Sequence, residues 1–144
     1  MRVLVQRSGG SSVSVKDQSV GQIDGGLVLF VGFCEGDNLE KIEYLVHRIL
    51  NLRIFPDQNG VMNQSILEFG GDVLSISQFT LYADTKKGNR PSYKDALNSE
   101  ESLKLYELFN QELKKYIHTE EGVFGADMLV SITNIGPTTI LLER

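Results

Sequence analysis

Ser77-Gln78-Phe79-Thr80-Leu81 directly follows the apolar run Val73-Leu74-Ser75-Ile76, and this junction decides how the fold is organised. The run is typical of a β-strand, in which side chains alternate between the two faces of a sheet. The apolar face changes sides at Ser77 and Gln78. Such a reversal predicts a bulge, a strand end or a site where polar groups are needed inside the protein. The alternative is a strand covered on both faces, with Gln78 hydrogen-bonded to nearby backbone.

A second apolar run, residues 27–33, predicts a strand at the centre of the same sheet. Upstream of it, residues 1–7 alternate as a first strand, and the small residues 8–12 predict a turn. Two further short strands are expected on either side of a turn at residues 16–19. Near the end of the chain, residues 128–134 and 138–142 predict an antiparallel pair of strands.

Two longer segments have helical periodicity. Asp37 is expected to cap the first helix, with Glu40 completing a capping box. Asn98 or Ser99 is expected to cap the second. Strands, helix, strand, helix and strands in this order predict one α+β domain over residues 1–144, a mainly antiparallel or mixed, barrel-like sheet packed with two main helices.

The composition limits the classes of function. The chain has 144 residues, 41% of them hydrophobic, and a net charge of -5. It contains no apolar run long enough to cross a bilayer, and its first residues do not resemble a signal peptide, so we expect a cytoplasmic protein without a membrane partner. The negative charge argues against a broad phosphate-binding surface and a DNA partner, but allows contact with one short nucleic-acid end. The basic stretch of Lys86, Lys87, Arg90 and Lys94 is interpreted as a solvated loop.

Few side chains are suited to conventional hydrolytic chemistry. Cys34 is a single cysteine, and the two histidines, His47 and His118, lie in helical patterns. This argues against a serine or cysteine hydrolase with a histidine base. No ligands have the spacing of a metal site, so neither metal nor cofactor is expected. Thr80 is the one potential nucleophile of the opening stretch, and with no base evident we expect its hydroxyl to be structural or water-orienting.

Several motifs together resemble the D-aminoacyl-tRNA deacylase family. They comprise Val5-Gln6-Arg7, Asn51-Leu52-Arg53-Ile54-Phe55, Met62-Asn63, Ser77 to Leu81, Gly88-Asn89-Arg90-Pro91-Ser92-Tyr93, Phe124-Gly125-Ala126-Asp127-Met128 and Asn134 to Thr139. The resemblance extends over nearly the whole chain. It departs from the family at Thr138, where valine is usual, and at residues 8–11, which are smaller and less basic.

The resemblance implies an ester hydrolase that removes D-amino acids, and also glycine, from tRNA. Its implied catalytic residues are Ser77, Gln78, Phe79 and Thr80. Its implied substrate-binding and chirality-selecting residues are Gly136, Pro137, Asn134, Ala96 and Met128.

The resemblance also implies a mechanism without a side-chain base. Backbone N–H groups near Phe79 and Thr80 stabilise the oxyanion, and the 2′-hydroxyl of the terminal adenosine helps to activate water. A cis Gly136-Pro137 peptide reaches into the active site of the other subunit of a homodimer and excludes L side chains. Two alternatives remain: a non-catalytic module that binds aminoacyl-tRNA ends, and a hydrolase of small esters with a serine or threonine nucleophile.

Overall fold

A computed structural model describes residues 1–144 and confirms the α+β class, with one barrel-like mixed sheet flanked by helices. The strands are β1 (Arg2–Val15), β2 (Gln18–Ile23), β3 (Gly26–Gly32), β4 (Phe55–Pro56), β5 (Met62–Gln64), β6 (Asp72–Ser77), β7 (Thr119–Glu121) and β8 (Leu129–Glu143). The main sheet has the strand order β2-β1-β3-β6-β7, and β8 pairs with the other edge of β1. Strands β4 and β5 form a separate two-stranded sheet.

The long strand β1 connects the sheet, because it pairs antiparallel with β2, β3 and β8. The pairs β3–β6 and β6–β7 are parallel, so the sheet is mixed. Its two ends approach each other: a Cβ built on Gly21 in β2 would lie 3.1 Å from the carbonyl oxygen of Glu121 in β7. The sheet is therefore nearly closed.

Strand β3 is buried on both faces, which confirms its predicted central position. Leu27, Leu29 and Val31 belong to the larger core cluster, which includes the apolar faces of the helices. Val28 faces the other way into a smaller cluster with Leu74 and Ile76. A continuous apolar run is what a strand covered on both sides requires.

Three α-helices pack against the sheet: α1 (Leu39–Leu50), α2 (Ile66–Phe69) and α3 (Ser99–Lys114). None of them is both long and apolar enough to span a bilayer. The predicted cap of α1 was wrong by one residue, because Asn38 accepts the capping bond from the Lys41 N–H. The Asp37 carboxylate accepts instead from the backbone N–H of Cys34 and from the Lys41 ammonium. Helix α3 is capped by Asn98, one of the two residues expected there.

The predicted turn at residues 8–12 was wrong, because these residues continue β1. Ser8 and Ser11 are both buried, and their hydroxyl oxygens are 2.9 Å apart in a hydrogen bond. The pairing between β1 and β8 shifts register between Gln6 and Ser8 and again between Ser8 and Ser11. The small residues therefore lie at two register shifts within a continuous strand, not in a turn.

The predicted terminal pair of strands was also wrong, because both segments lie in β8 and pair with β1 instead of each other. Gln6 pairs with Thr139 and Ser8 with Asn134, so a single β1 residue, Arg7, faces the four residues 135–138. The extra β8 residues bulge from the ladder, as expected for an unequal count between paired strands. Gly136 and Pro137 occupy this bulge, which we call the Gly-Pro corner (residues 135–138).

Candidate active site

The face reversal at Ser77 marks a strand end, one of the three predicted outcomes. Strand β6 stops at Ser77, and a 3₁₀ helix follows over Phe79–Tyr82. The Gln78 N–H donates to the carbonyl of Val31 in β3 at 2.7 Å, which fixes the start of this helix. Its last turn is held by Arg2, whose guanidinium donates to the Leu81 carbonyl at 2.8 Å.

A cavity of about 520 Å³ opens beside this strand end. That volume lies in the range of small-molecule sites, roughly 300–1,000 Å³. Its walls combine the ends of β3 and β6, the start of α3 and the segment that leads into β8. The lining residues are Val31, Gly32, Phe33, Ile76, Ser77, Gln78, Phe79, Leu97, Ser99, Ser102, Phe124, Gly125, Ala126, Asp127, Met128 and Val130.

Gly32 allows the 3₁₀ helix to lie directly against β3. A Cβ built on Gly32 would be 2.8 Å from the carbonyl oxygen of Gln78 and 3.3 Å from Cβ of Leu81. The first distance is closer than a carbon and an oxygen approach without bonding. The close contact of two backbone segments therefore requires glycine here, and it sets the position of the cavity wall at Gln78.

The Gln78 side chain binds the hydroxyl of Thr80, the nucleophile candidate considered in the sequence. Its amide Nε2 donates to Oγ1 of Thr80. Neither His47 nor His118 lines the cavity, and no group of three His, Cys, Asp or Glu side chains is arranged to hold a metal. The polar side chains of the lining are thus the Gln78 amide, the hydroxyls of three serines and the Asp127 carboxylate.

Phe79 forms the rim of the cavity. It is 55% exposed and packs edge-on against Tyr93, with ring centroids 5.0 Å apart. Tyr93 is itself 40% exposed. The cavity mouth therefore carries two accessible aromatic rings.

Tyr106 supports the strand end from behind. Its hydroxyl donates to the carbonyl of Ser75 in β6 at 2.8 Å, and its side chain is buried. Burial raises the pKa of Tyr106 above the ordinary tyrosine value. The neutral phenol is therefore the form that the fold stabilises.

The Gly-Pro corner lies outside this cavity; Ile135, Gly136 and Pro137 are exposed, whereas Thr138 is buried. The Gly136-Pro137 peptide bond is cis. A Cβ built on Gly136 would meet no atom of the chain within 4 Å. Arg7 supports the corner from below, donating to the carbonyls of Ile135 at 3.3 Å and Gly136 at 3.4 Å. The same guanidinium donates to the Ile54 carbonyl at 2.5 Å, which ties the corner to the core.

The predicted site residues fall into two groups. Ser77, Gln78, Phe79 and Met128 line the cavity, and Thr80 contacts it through Gln78. Ala96 lies in an adjacent groove that also includes Cys34 and Lys94.

Asn134, Gly136 and Pro137 form the second group, because they lie at the corner or directly before it and none of them lines the cavity of the same chain. The Asn134 amide spans the base of the bulge, donating to the carbonyls of Arg7 and Thr138. The roles expected for both groups stay predictions.

Several cavity residues were not predicted. Phe124 to Asp127 were quoted as a motif but given no role, and Ser99 and Ser102 at the start of α3 were not identified. Gly32 was also missed, although a glycine closing a buried apolar strand is a recognisable signal of close backbone contact.

Comparisons with known proteins agree with this architecture. The family model for D-Tyr-tRNA(Tyr) deacylase matches residues 4–143. The structure of the c-Myc DNA Unwinding Element Binding Protein superimposes with a TM-score of 0.95 at 35% identity, covering 100% of this chain and 99% of that one. The structure of a probable eukaryotic D-amino acid tRNA deacylase superimposes with a TM-score of 0.84 over 98% of this chain and 97% of that one. At 18% identity, the latter shows the fold alone. The chain therefore belongs to the D-Tyr-tRNA(Tyr) deacylase family, a family of hydrolases.

Proposed function

We propose that the protein hydrolyses the ester between a D-amino acid and the 3′-terminal adenosine of tRNA, and that the cavity at Ser77–Phe79 is its active site. One observation carries this proposal. The family match over residues 4–143 coincides with a cavity whose lining includes residues 77–79 of the first sequence motif and all of residues 124–128.

The proposed reaction uses no side chain as a base, and Asp127, whose carboxylate is in the cavity lining, has no assigned role in it. An aminoacyl ester is already activated, so correct positioning and stabilisation of the developing oxyanion supply most of the acceleration needed. Phe79 and Thr80 open the 3₁₀ helix, and the first N–H groups of a helix have no carbonyl partner within it. These two amides are our proposed oxyanion donors, with the adenosine 2′-hydroxyl assisting the attacking water.

Chiral selection is proposed to come from the Gly-Pro corner of a second copy of the chain. In one chain the cavity and the corner are separate, and the Ile135 and Gly136 carbonyls of the exposed corner accept long hydrogen bonds from Arg7, which leave each oxygen a further lone pair. Inserted into the cavity of a partner, these carbonyls would accept hydrogen bonds from the substrate α-ammonium group. An L side chain would then be directed at backbone and a D side chain away from it, while glycine, which has no side chain, would be accepted.

The proposed activity is tested by hydrolysis of D-tyrosyl-tRNA and L-tyrosyl-tRNA side by side. We expect release of D-tyrosine and retention of the L-ester. Equal rates on both esters would contradict the chiral role. Binding of both without hydrolysis would instead support the non-catalytic module.

The role of the corner is tested by Gly136→Ala. Since a Cβ here meets nothing in its own chain, stability should stay within about 0.5 kcal/mol of wild type, as for surface substitutions. Any loss of D over L selectivity would then arise from contacts of the corner with the partner subunit or the substrate, and not from a change in its own chain. Unchanged selectivity in a stable variant would remove the corner from the mechanism.

Complementation tests whether the corner acts between subunits. Gly32→Ala damages the cavity and Gly136→Ala damages the corner. In a mixed dimer, the Gly136→Ala chain has an intact cavity and the Gly32→Ala chain has an intact corner. These two features meet only if each active site combines the cavity of one subunit with the corner of the other. In a symmetric dimer with random exchange, the mixture should recover about a quarter of the wild-type activity. No recovery would place the two features in separate roles.

A further inference from the structure

The loop at residues 85–91 is closed at its base. Asp84 and Ser92 exchange two backbone hydrogen bonds, of 2.8 Å and 2.9 Å, and form an isolated bridge. The Asp84 carboxylate also accepts from the Lys86 N–H at 3.0 Å. The loop is thus a defined projection from the protein, and we call it the basic loop.

The basic loop has an excess of unpaired positive charge. Lys86, Lys87 and Arg90 are all exposed, and none forms an ion pair. By contrast, Lys104 and Lys114 on α3 are each paired with a glutamate. Three free cations within five residues are unexpected in a chain whose net charge is -5. Such a cluster attracts a polyanion locally while the rest of the surface repels it.

The position of the basic loop links it to the cavity. Tyr93 directly follows the closing residue Ser92, and its ring packs on Phe79 at the cavity rim. We propose that the basic loop binds the backbone phosphates of the single-stranded 3′ end of the RNA, while Phe79 and Tyr93 provide faces for base stacking. This inference rests on the proposed function and adds the RNA-binding surface next to the reaction site.

The combination matches how single strands are bound. Cationic side chains follow the phosphates, and exposed aromatic rings stack on bases regardless of sequence. A strand that enters the cavity past Phe79 also passes Tyr93, which adjoins the base of the basic loop at Ser92. The loop therefore contributes to the binding of tRNA and makes no contact with the ester.

The test compares two variants that each lose one lysine and one arginine. Lys87→Gln/Arg90→Gln removes charge from the basic loop. Arg48→Gln/Lys114→Gln removes the same charge elsewhere, since Arg48 is in the last turn of α1 and Lys114 ends α3. Lys114 lies 15 residues along that helix from the cavity-lining Ser99, about 22 Å at the α-helical rise.

The test measures kcat and KM on two substrates. The first is D-tyrosyl-tRNA between 50 and 200 mM salt, and the second is 3′-O-D-tyrosyl adenosine, which has no phosphate. The loop variant should lose about tenfold in kcat/KM on the tRNA, mainly through KM, because hydrogen bonds to charged groups are lost. Its log–log salt dependence should be shallower by about 1.4, the value for two phosphate contacts on a single strand. The ratio of kcat/KM on tRNA to that on the adenosine ester should fall in the loop variant alone.

Three results would overturn the proposal: an unchanged salt slope, an equal loss in both variants, or a parallel loss on the adenosine ester. Failure of the proposed function has a different signature, because wild-type protein would then cleave neither ester. In that case, the salt dependence of binding to an RNA hairpin with a single-stranded 3′ end still decides the role of the loop. An equal slope in the wild-type and loop-variant proteins would refute it.

Discussion

Gly32→Ala is the most direct test of the link between backbone packing and catalysis. The new Cβ would lie 2.8 Å from the Gln78 carbonyl oxygen, where unstrained carbon–oxygen contacts begin at about 3.3 Å. The 3₁₀ helix must therefore move away from β3 by about 0.5 Å. The obstacle is backbone, so no side chain can rotate to relieve it.

The shift has two measurable consequences. Overpacking of this kind costs about 1–3 kcal/mol of stability. Because a misplacement of about 1 Å can reduce a rate about 100-fold, half that displacement of the Gln78–Thr80 backbone should reduce kcat about tenfold. Unfolding in urea measures the first effect. Single-turnover hydrolysis of D-tyrosyl-tRNA, at a temperature where the variant is fully folded, measures the second.

Gly10→Ala is the matched control. It also lies in a strand, but its Cβ would have the Asp24 carbonyl oxygen as nearest neighbour, at 4.0 Å. We expect wild-type kcat, with stability unchanged or raised by up to about 1 kcal/mol because alanine restricts the unfolded chain. A Gly32→Ala protein that loses stability but keeps wild-type kcat would refute the inference that this contact positions the catalytic backbone.

Three further substitutions test other parts of the site. Thr80→Val removes the hydroxyl that accepts from Gln78. Because we assign that hydroxyl no covalent role, kcat should stay within about tenfold of wild type. Complete loss of activity with an intact fold would favour a nucleophilic threonine. Arg7→Lys replaces a planar fork with a single ammonium that cannot hold all three of its carbonyls, so D over L selectivity should fall, and an unchanged ratio would contradict the supporting role. Tyr106→Phe should cost about 0.5–1.5 kcal/mol at pH 7 by deleting the bond to the Ser75 carbonyl. Burial raises the pKa of this tyrosine, so wild-type stability declines once the unfolded chain ionises near pH 10, and the gap between the variant and the wild type should narrow by pH 11. A constant gap in urea unfolding at the two pH values would contradict this.

The sequence predicted those parts of the fold that depend on local burial. Residues 27–33 were placed at the sheet centre because a strand covered on both faces is apolar throughout. The end of β6 was recognised as a disturbance because alternation fails there. In both cases, the polarity of each side chain indicates whether that residue is buried, so the local sequence is sufficient for the prediction.

The errors arose where a distant strand determines the conformation. Residues 8–12 have the composition of a turn, yet they lie in β1 because β8 pairs with both sides of the irregularity. The Gly-Pro corner likewise has the composition of a hairpin turn, yet the residues on both sides of it pair with β1. No local pattern shows that its partner is a strand more than 120 residues earlier. The error at the α1 cap is smaller than these two, because the predicted cap, Asp37, is adjacent to the observed one, Asn38. Either side chain can accept the capping bond, and the Asp37 carboxylate accepts from other donors instead.

The site was partly predictable for a chemical reason. Where catalysis depends on histidines, thiols or metal ligands, reactive side chains mark the site in the sequence. Here the cavity is shaped by main-chain contacts, such as the one between Gly32 and Gln78, and the reactive 2′-hydroxyl is proposed to arrive with the substrate. Close backbone approach requires glycine, as at Gly32, and glycines also occur in ordinary turns. A site of this type is identified by what a Cβ would collide with, which is a property of the folded chain.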